Sequence, residues 1–358
     1  MAPSTNDSPL GISTSPFACR VGINGFGRIG RNLLRASLVR SDIQVVAINH
    51  TCVTVEDLIY LIRYDSSMGD LDDGTSIQIK SENLIVIDGN PITLTSERDL
   101  KKLKWDALGV DYVLECTGKF TKSHQAIDHI TYGKAKRVLI SAPSDSPTFV
   151  YGVNSNSYRP TEENLVISNA SCTTNCVTPV LKVLHENFGV AQGFLTTIHA
   201  ATRSQQVLDG YSKKNRRLGR GVFNNIIPTT TGASKAVASV LPELSGKVTG
   251  VSIRVPTPNV SMIDLTISTE KPTSLSEIIS TFRVASKSSM AGVLRVTDEE
   301  LVSADYNGSP YSAIIDAPAC SELNSQFFKI MAWYDNEWGY SNRLLDLATH
   351  VHAAQNMQ

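Results

Sequence analysis

The apolar positions of this chain change period along its length, and each change predicts an element. Short apolar runs at Ile43–Asn49, Tyr112–Cys116, Arg137–Ser141 and Asn164–Ser168 read as strands, while Arg31–Leu38 reads as an amphipathic helix. This alternation through residue 170 predicts a doubly wound α/β unit. Beyond it, Val177, Val180, Leu181, Leu184 and Phe188 recur at helical spacing. Strand patterns return at Gly193–His199, Lys247–Arg254, Ser261–Ser268 and Phe327–Trp333, predicting an α+β unit with a mostly antiparallel sheet. A last helical pattern spans Trp338–Ala354.

Composition narrows the class. With 358 residues and 41% hydrophobic content, the chain is long enough for two domains. A formal net charge of -1 argues against nucleic acid or an anionic membrane surface as the main partner. Residues 1–16 hold no Lys or Arg and no long apolar run, so no signal peptide, transit peptide or membrane span is expected; they read as a mobile tail on a cytoplasmic protein. The six cysteines, at 19, 52, 116, 172, 176 and 320, lack the spacings of a zinc site or a disulfide scaffold. A reducing compartment and no metal are the expectation.

The chemistry begins at Gly25-Phe26-Gly27-Arg28-Ile29-Gly30, which follows a strand and opens a helix. Gly25 permits a tight turn, Gly27 lets the backbone approach a pyrophosphate, and Gly30 lets helix and strand pack closely, as in the Rossmann dinucleotide motif. The acidic residue expected about 20 positions on, which would hold the ribose hydroxyls of NAD, is replaced by His50. Without that carboxylate the repulsion that excludes the 2′-phosphate of NADP is removed, and a protonated His50 would attract it; a surface histidine with no cofactor role is the alternative, so the choice between NAD and NADP stays open. Thr117-Gly118 and Ser141 end two further strands, where ligands of such sheets bind.

Cys172 stands where an extended run gives way to a helix, so its thiol would lie near a helix N-terminus that favours the thiolate. Ordinary buried core is the alternative for this residue. His199 ends a strand and offers a base for such a thiol. Thr173, Thr202, Thr229-Thr230-Thr231-Gly232 and Arg254 are candidates for holding anions. The threonine run equally suits a helix N-cap before Ala233. Arg254 in an apolar strand needs a partner, either a bound phosphate or an internal carboxylate. The basic run Lys213–Arg217 suits a solvated face, a partner subunit or a phosphate.

Six motifs then fall in order: INGFGRIGR, SNASCTTNC around Cys172, TTIHAAT around His199, TGASKAV, RVPTPNVS and WYDNEWGYSNR. From Arg20 to the final helix the chain resembles the phosphorylating glyceraldehyde-3-phosphate dehydrogenase family. The resemblance implies a dinucleotide-binding domain over 17–171, completed by the C-terminal helix at 335–355, and a catalytic domain over 172–334. It implies that Cys172 attacks an aldehyde, that His199 takes the thiol proton, that hydride passes to NAD, and that inorganic phosphate cleaves the thioester. Thr202 and Arg254 would hold the substrate phosphate; Ser171, Thr173, Thr231 and Gly232 would hold the attacking one. Asn336 matches the residue that fixes the nicotinamide carboxamide, and Arg28 and Ile29 match residues lining the cofactor cleft. The family's members are homotetramers in which the loop at about 200–222 reaches across an interface.

Three departures stand out against that resemblance. NAD-selective members usually have Asp at the position of His50 and Pro at that of Tyr211, so relaxed discrimination against NADP is expected. Leu-Ala is commoner where this chain has Val177-Thr178, which suggests altered access of thiol-reactive inhibitors in a specialised isozyme. Two other readings compete: a dehydrogenase of an erythrose-4-phosphate-type aldehyde, and a non-catalytic thiol redox sensor. A sensor has no need of Ser171, Thr173, Thr231, His199 and Arg254 together.

Overall fold

The computed structural model describes residues 18–213 and 215–357, so the tail expected at 1–16 lies outside the described residues. The first half runs β1 (Cys19–Asn24), α1 (Arg28–Ser37), β2 (Ile43–Asn49), α2 (Val55–Arg63), β3 (Ile77–Ser81), β4 (Leu84–Ile87), β5 (Asn90–Thr95), β6 (Tyr112–Glu115), α3 (Ser123–Ala126), α4 (Asp128–Thr131), β7 (Arg137–Ile140) and β8 (Val166–Ser168). These strands form one sheet in the order β3-β4-β5-β2-β1-β6-β7-β8. From β5 to β8 the neighbours are parallel. The edge β3-β4-β5 is an antiparallel meander. The apolar pattern does not announce it, because β3 is mostly exposed.

From β1 the chain crosses through α1 to β2 on one side, and later returns on the other side of β1 as β6. The carboxyl ends of β1 and β6 therefore bound a crevice of the kind in which doubly wound sheets bind ligands. Gly25, just past β1, has a φ of 97° and packs against Thr117, just past β6. Gly30 lies so close to the turn that a Cβ there would run into the Gly25 carbonyl oxygen.

The second half runs α5 (Cys172–Phe188), β9 (Val190–His199), β10 (Ile227–Thr230), α6 (Ala233–Val240), β11 (Val248–Arg254), β12 (Ser261–Thr269), α7 (Leu275–Ser286), β13 (Leu294–Thr297), β14 (Ala313–Asp316), β15 (Ser321–Asn324), β16 (Phe327–Tyr334) and α8 (Trp338–Asn356). Its sheet has the order β10-β11-β9-β12-β16-β14-β13, with β15 beside β16. Only β11/β9 and β13/β14 are parallel among its pairs, in keeping with a mostly antiparallel sheet. Val180, Leu181 and Leu184 of α5 meet Leu195, Ile263, Leu265, Ile330 and Phe282 in its core.

Helix α8 returns to the first half. Its Leu344, Leu345, Leu347, Ala348 and Val351 share a core with Leu33, Leu34, Val21 and Ile23. Among the described residues no helix is long and apolar enough to cross a membrane.

Gly30→Ala is expected to lower the unfolding free energy by about 1–3 kcal/mol, because the added methyl overpacks the helix–strand contact. A thermal melt reads the effect, and an unchanged Tm would contradict this account of the turn.

Candidate active site

The position of Cys172 is set by a strained reversal. After β8 the chain turns through Ala170, whose φ of 56° lies in the left-handed region that alanine seldom adopts. Two bonds hold it: the Ala170 N–H donates to Ser168 Oγ at 3.0 Å, and the Tyr340 hydroxyl of α8 donates to the Ala170 carbonyl at 3.0 Å. Ser171 is then the N-cap of α5, its Oγ accepting the Thr174 N–H at 3.1 Å. Cys172 follows as the first helical residue, half-buried, with Sγ 3.5 Å from His199 Nε2.

His199 ends β9 and pairs in register with Arg254, which ends the parallel strand β11. Arg254 Nη1 lies 2.5 Å from His199 Nδ1 and also donates to the Ala200 carbonyl at 3.1 Å. Among the described residues no carboxylate accepts from it, and its Nε is buried without a partner, which counts against an internal carboxylate and leaves room for an anion. Tyr334 closes the group: its hydroxyl bonds Thr173 Oγ1 at 2.9 Å, and its ring stands edge-on to His199 at 6.1 Å.

Electrostatics corrects one expectation. The helix N-terminus was expected to lower the Cys172 pKa, but burial pushes the thiol up, outweighing Arg254 and the Thr173 amide, which pull it down. Burial also pushes His199 down to about 3, with the Arg254 charge acting in the same direction and the Ala200 carbonyl opposing it.

The anion candidates are spread along this region. Thr202 follows His199 in the loop, its hydroxyl bonded to Ser204 Oγ at 2.9 Å. Thr231 and Gly232 stand between β10 and α6, and α6 packs on α5 and β11. Gly232, the residue after the threonine run, takes the N-cap position of α6. Val177 and Thr178, behind the cysteine, are fully buried, with the Thr178 hydroxyl donating to the Thr174 carbonyl at 2.8 Å.

The crevice fits a dinucleotide. No side chain caps α1 at Gly27, leaving its first N–H groups to face a phosphate. A Cβ at Gly27 or Gly118 would meet no atom within 4 Å, so both backbones lie open to a ligand. The Phe26 ring belongs to the first core, Ile29 packs partly against it, and Ser141 is half-buried past β7. Arg28 is bound by two carboxylates: Nε donates to Glu337 at 2.9 and 3.0 Å, and Nη1 pairs with Asp65. It therefore ties α1 to the residue after Asn336. His50 is buried, its Nδ1 accepting the Cys52 N–H at 3.1 Å, and burial pushes its pKa down. Burial thus disfavours the protonated His50 that would attract a 2′-phosphate.

Several residues of the site escaped sequence reasoning. Ser261 links its two halves, accepting the Ala200 N–H at 3.0 Å and donating to Asn336 Oδ1 at 2.8 Å. Val260 before it has a φ of 64°, a strained geometry for a β-branched residue. Beneath Thr117, the buried Glu115 carboxylate accepts from the Thr117 N–H at 2.8 Å, from Asn24 Nδ2 at 2.5 Å and from His129 Nε2 at 3.0 Å. The Trp105 indole N–H donates to His129 Nδ1 at 2.9 Å, which puts the ring proton on Nε2. The sequence of β6 gives no sign that its last residue, Glu115, is buried and hydrogen-bonded on several sides.

Comparison with known proteins gives family matches to both halves of the chain. Residues 19–123 match the model for the glyceraldehyde 3-phosphate dehydrogenase NAD binding domain, and residues 171–336 match that for the C-terminal domain. A glyceraldehyde-3-phosphate dehydrogenase 1 of Schizosaccharomyces pombe is 50% identical over 94% of this chain and 99% of its own length. A cytosolic form from Gracilaria gracilis is 49% identical over 93% of this chain and 98% of its own. A chloroplastic form from Arabidopsis thaliana is 47% identical over 95% of this chain and 79% of its own.

The depressed His199 pKa makes stability depend on pH. Its folded value of about 3 lies below the ordinary 6.5, so between them the folded protein binds fewer protons than the unfolded chain. The contribution is complete above pH 6.5 and is lost as pH falls toward 3, by up to about 1.4 kcal/mol per unit. His199→Gln is expected to flatten that limb of a denaturation-versus-pH series; parallel slopes in the two proteins would contradict it.

Proposed function

The chain belongs to the glyceraldehyde-3-phosphate dehydrogenase family, and on that footing we propose which of its residues oxidise glyceraldehyde 3-phosphate with NAD and inorganic phosphate to 1,3-bisphosphoglycerate. The observation that carries the assignment is Cys172 Sγ at 3.5 Å from His199 Nε2, with Arg254 against the same imidazole. Cys172 Sγ forms a bond to the aldehyde carbon as His199 takes the thiol proton and passes it to the oxygen, giving a thiohemiacetal. His199 then removes the hydroxyl proton as the carbon loses hydride, and a thioester remains on Cys172. NAD supplies the hydride acceptor. A phosphate oxygen attacks the thioester carbonyl, the C–S bond breaks, and the acyl phosphate leaves a Cys172 thiolate that recovers its proton.

Thr202 and Arg254 hold the substrate phosphate in this reading, supported by the unpartnered Arg254 Nε. Ser171, Thr173, Thr231 and Gly232 receive the attacking phosphate; the hydroxyls of Ser171 and Thr173 are already fixed by Thr174 and Tyr334. Gly25, Gly27, Gly30, Thr117 and Gly118 form the cofactor cradle together with Ser141, and Asn336 meets the nicotinamide end. A neutral His50 in place of a carboxylate removes the repulsion of a 2′-phosphate without adding attraction, so NADP is a weaker second cofactor.

We also propose a cytoplasmic homotetramer with its catalytic domain over 172–334. The exposed face of the second sheet carries Phe194 and Val251, and the neighbouring loop carries Leu208, Tyr211, Phe223 and Ile226, all exposed; together they support an interface. All six cysteines are free, in keeping with a reducing compartment. Light scattering is expected to give four times the chain mass; a monomer would overturn the assembly.

Reduced-cofactor formation from glyceraldehyde 3-phosphate is expected to turn over only with inorganic phosphate, with NAD favoured over NADP by a modest factor. Turnover without phosphate would sink the acyl-phosphate route, and strict NAD dependence would sink the role of His50. Cys172→Ser is expected to lower kcat at least about a thousandfold.

A further inference from the structure

We propose that Glu115 is a positioning residue for the cofactor: two chains of side-chain donors converge on its carboxylate, and through them it sets the shape of the crevice that NAD enters. The inference rests on the reading of that crevice as the cofactor cradle. Glu115 is 1% exposed, so it acts through its partners. The first chain crosses the carboxyl ends of four neighbouring strands, β5, β2, β1 and β6. The Glu97 N–H and the Thr95 hydroxyl donate to Asn49 Oδ1 at 2.8 and 2.9 Å, Asn49 Nδ2 donates to Asn24 Oδ1 at 2.7 Å, and Asn24 Nδ2 donates to Glu115 Oε2 at 2.5 Å. The second chain arrives from the other side, where the Trp105 indole N–H donates to His129 Nδ1 at 2.9 Å and His129 Nε2 donates to the same Oε2 at 3.0 Å. The remaining oxygen, Oε1, takes the Thr117 N–H at 2.8 Å and the Thr117 hydroxyl at 2.5 Å. Asn24, Asn49, Trp105 and His129 are all buried.

Both chains have a fixed direction. A backbone N–H and an indole N–H can only donate, so the two amides and the imidazole between them must all point toward one acceptor. The backbone bonds of the crevice hang on the same residues: the Gly25 N–H donates to the Asn49 carbonyl at 3.0 Å, and the Cys116 N–H donates to the Asn24 carbonyl at 2.8 Å. Gly25 and Thr117 press against each other, so the link from Asn24 to Glu115 sets how the two walls of the crevice stand. Glutamine at position 115 would keep the shape and bring an amide nitrogen. Turned one way, that nitrogen meets the Thr117 N–H; turned the other, it meets Asn24 Nδ2 and the His129 Nε2–H. Reversing Asn24 and Asn49 passes the conflict to the Glu97 N–H, and reversing the imidazole passes it to the Trp105 N–H. A buried donor is left unpaired in every arrangement, and the walls shift to relieve it. NAD then binds only the molecules whose walls stand correctly, which raises its apparent dissociation constant, whereas saturating NAD restores the arrangement and the rate.

The test is Glu115→Gln, read by NAD titration and by initial rates. The NAD dissociation constant and KM are expected to rise at least about tenfold, with kcat at saturating NAD and the KM values for glyceraldehyde 3-phosphate and phosphate within about threefold of the wild type. A residue that served stability alone would lower the active fraction, and with it kcat, at an unchanged NAD KM. That pattern, or an NAD dissociation constant within about twofold of the wild type, would overturn the proposal. Should Glu115→Gln not fold, Asn24→Ser cuts the first chain one link away and carries the same expectation and the same refutation. Gly27→Leu checks the underlying reading, since its side chain would enter the open space at the start of α1. Wild-type NAD binding by Gly27→Leu would remove the crevice reading and the proposal together; lost binding there with unchanged binding in Glu115→Gln would refute the positioning role alone.

Discussion

Everything at the site depends on one helix that is buried on nearly every side. Helix α5 carries Cys172 at its first position and cannot shift, because Val177, Val180, Leu181 and Leu184 are fully enclosed. Each contributes about 1.5–3 kcal/mol by leaving water. Its N-terminus is fixed from both halves of the molecule, by the strained Ala170 turn at the end of the first sheet and by Tyr340 of the last helix. With the helix held there, the ends of β9 and β11 bring His199 and Arg254 to the sulfur.

This burial sets the electrostatic character of the site. A helix N-terminus and a guanidinium both favour a thiolate, yet the loss of water around Cys172 outweighs them, and the same loss leaves His199 neutral. Ala200 and Ser261 connect His199 to Asn336, so the proposed base and the proposed nicotinamide contact share one hydrogen-bonded frame.

Much of this was legible in the sequence. The glycine turn, the strand–helix alternation and the place of Cys172 at a helix start follow from local period and spacing, which a linear reading captures. The pairing of His199 with Arg254 does not, since they lie 55 positions apart on strands whose adjacency is a matter of sheet order. Glu115 looked like one more residue of a buried strand, and only the fold shows its carboxylate saturated by neutral donors. The expected lowering of the Cys172 pKa fails for a plain reason: desolvation depends on what surrounds a group in space, and neighbours in sequence do not report it. At the threonine run, β10 goes on through Thr230 and the N-cap position of α6 falls at Gly232, a boundary that composition alone does not place.

The central claim is that the oxidation passes through an acyl group on Cys172. Mixing enzyme, NAD and glyceraldehyde 3-phosphate without phosphate, then quenching within one turnover for peptide mass analysis, tests it most directly. The account predicts one reduced cofactor per subunit and a phosphoglyceroyl thioester on the peptide containing Cys172, released on adding phosphate. A full burst with that peptide unmodified, or with the acyl group on another residue, would contradict it.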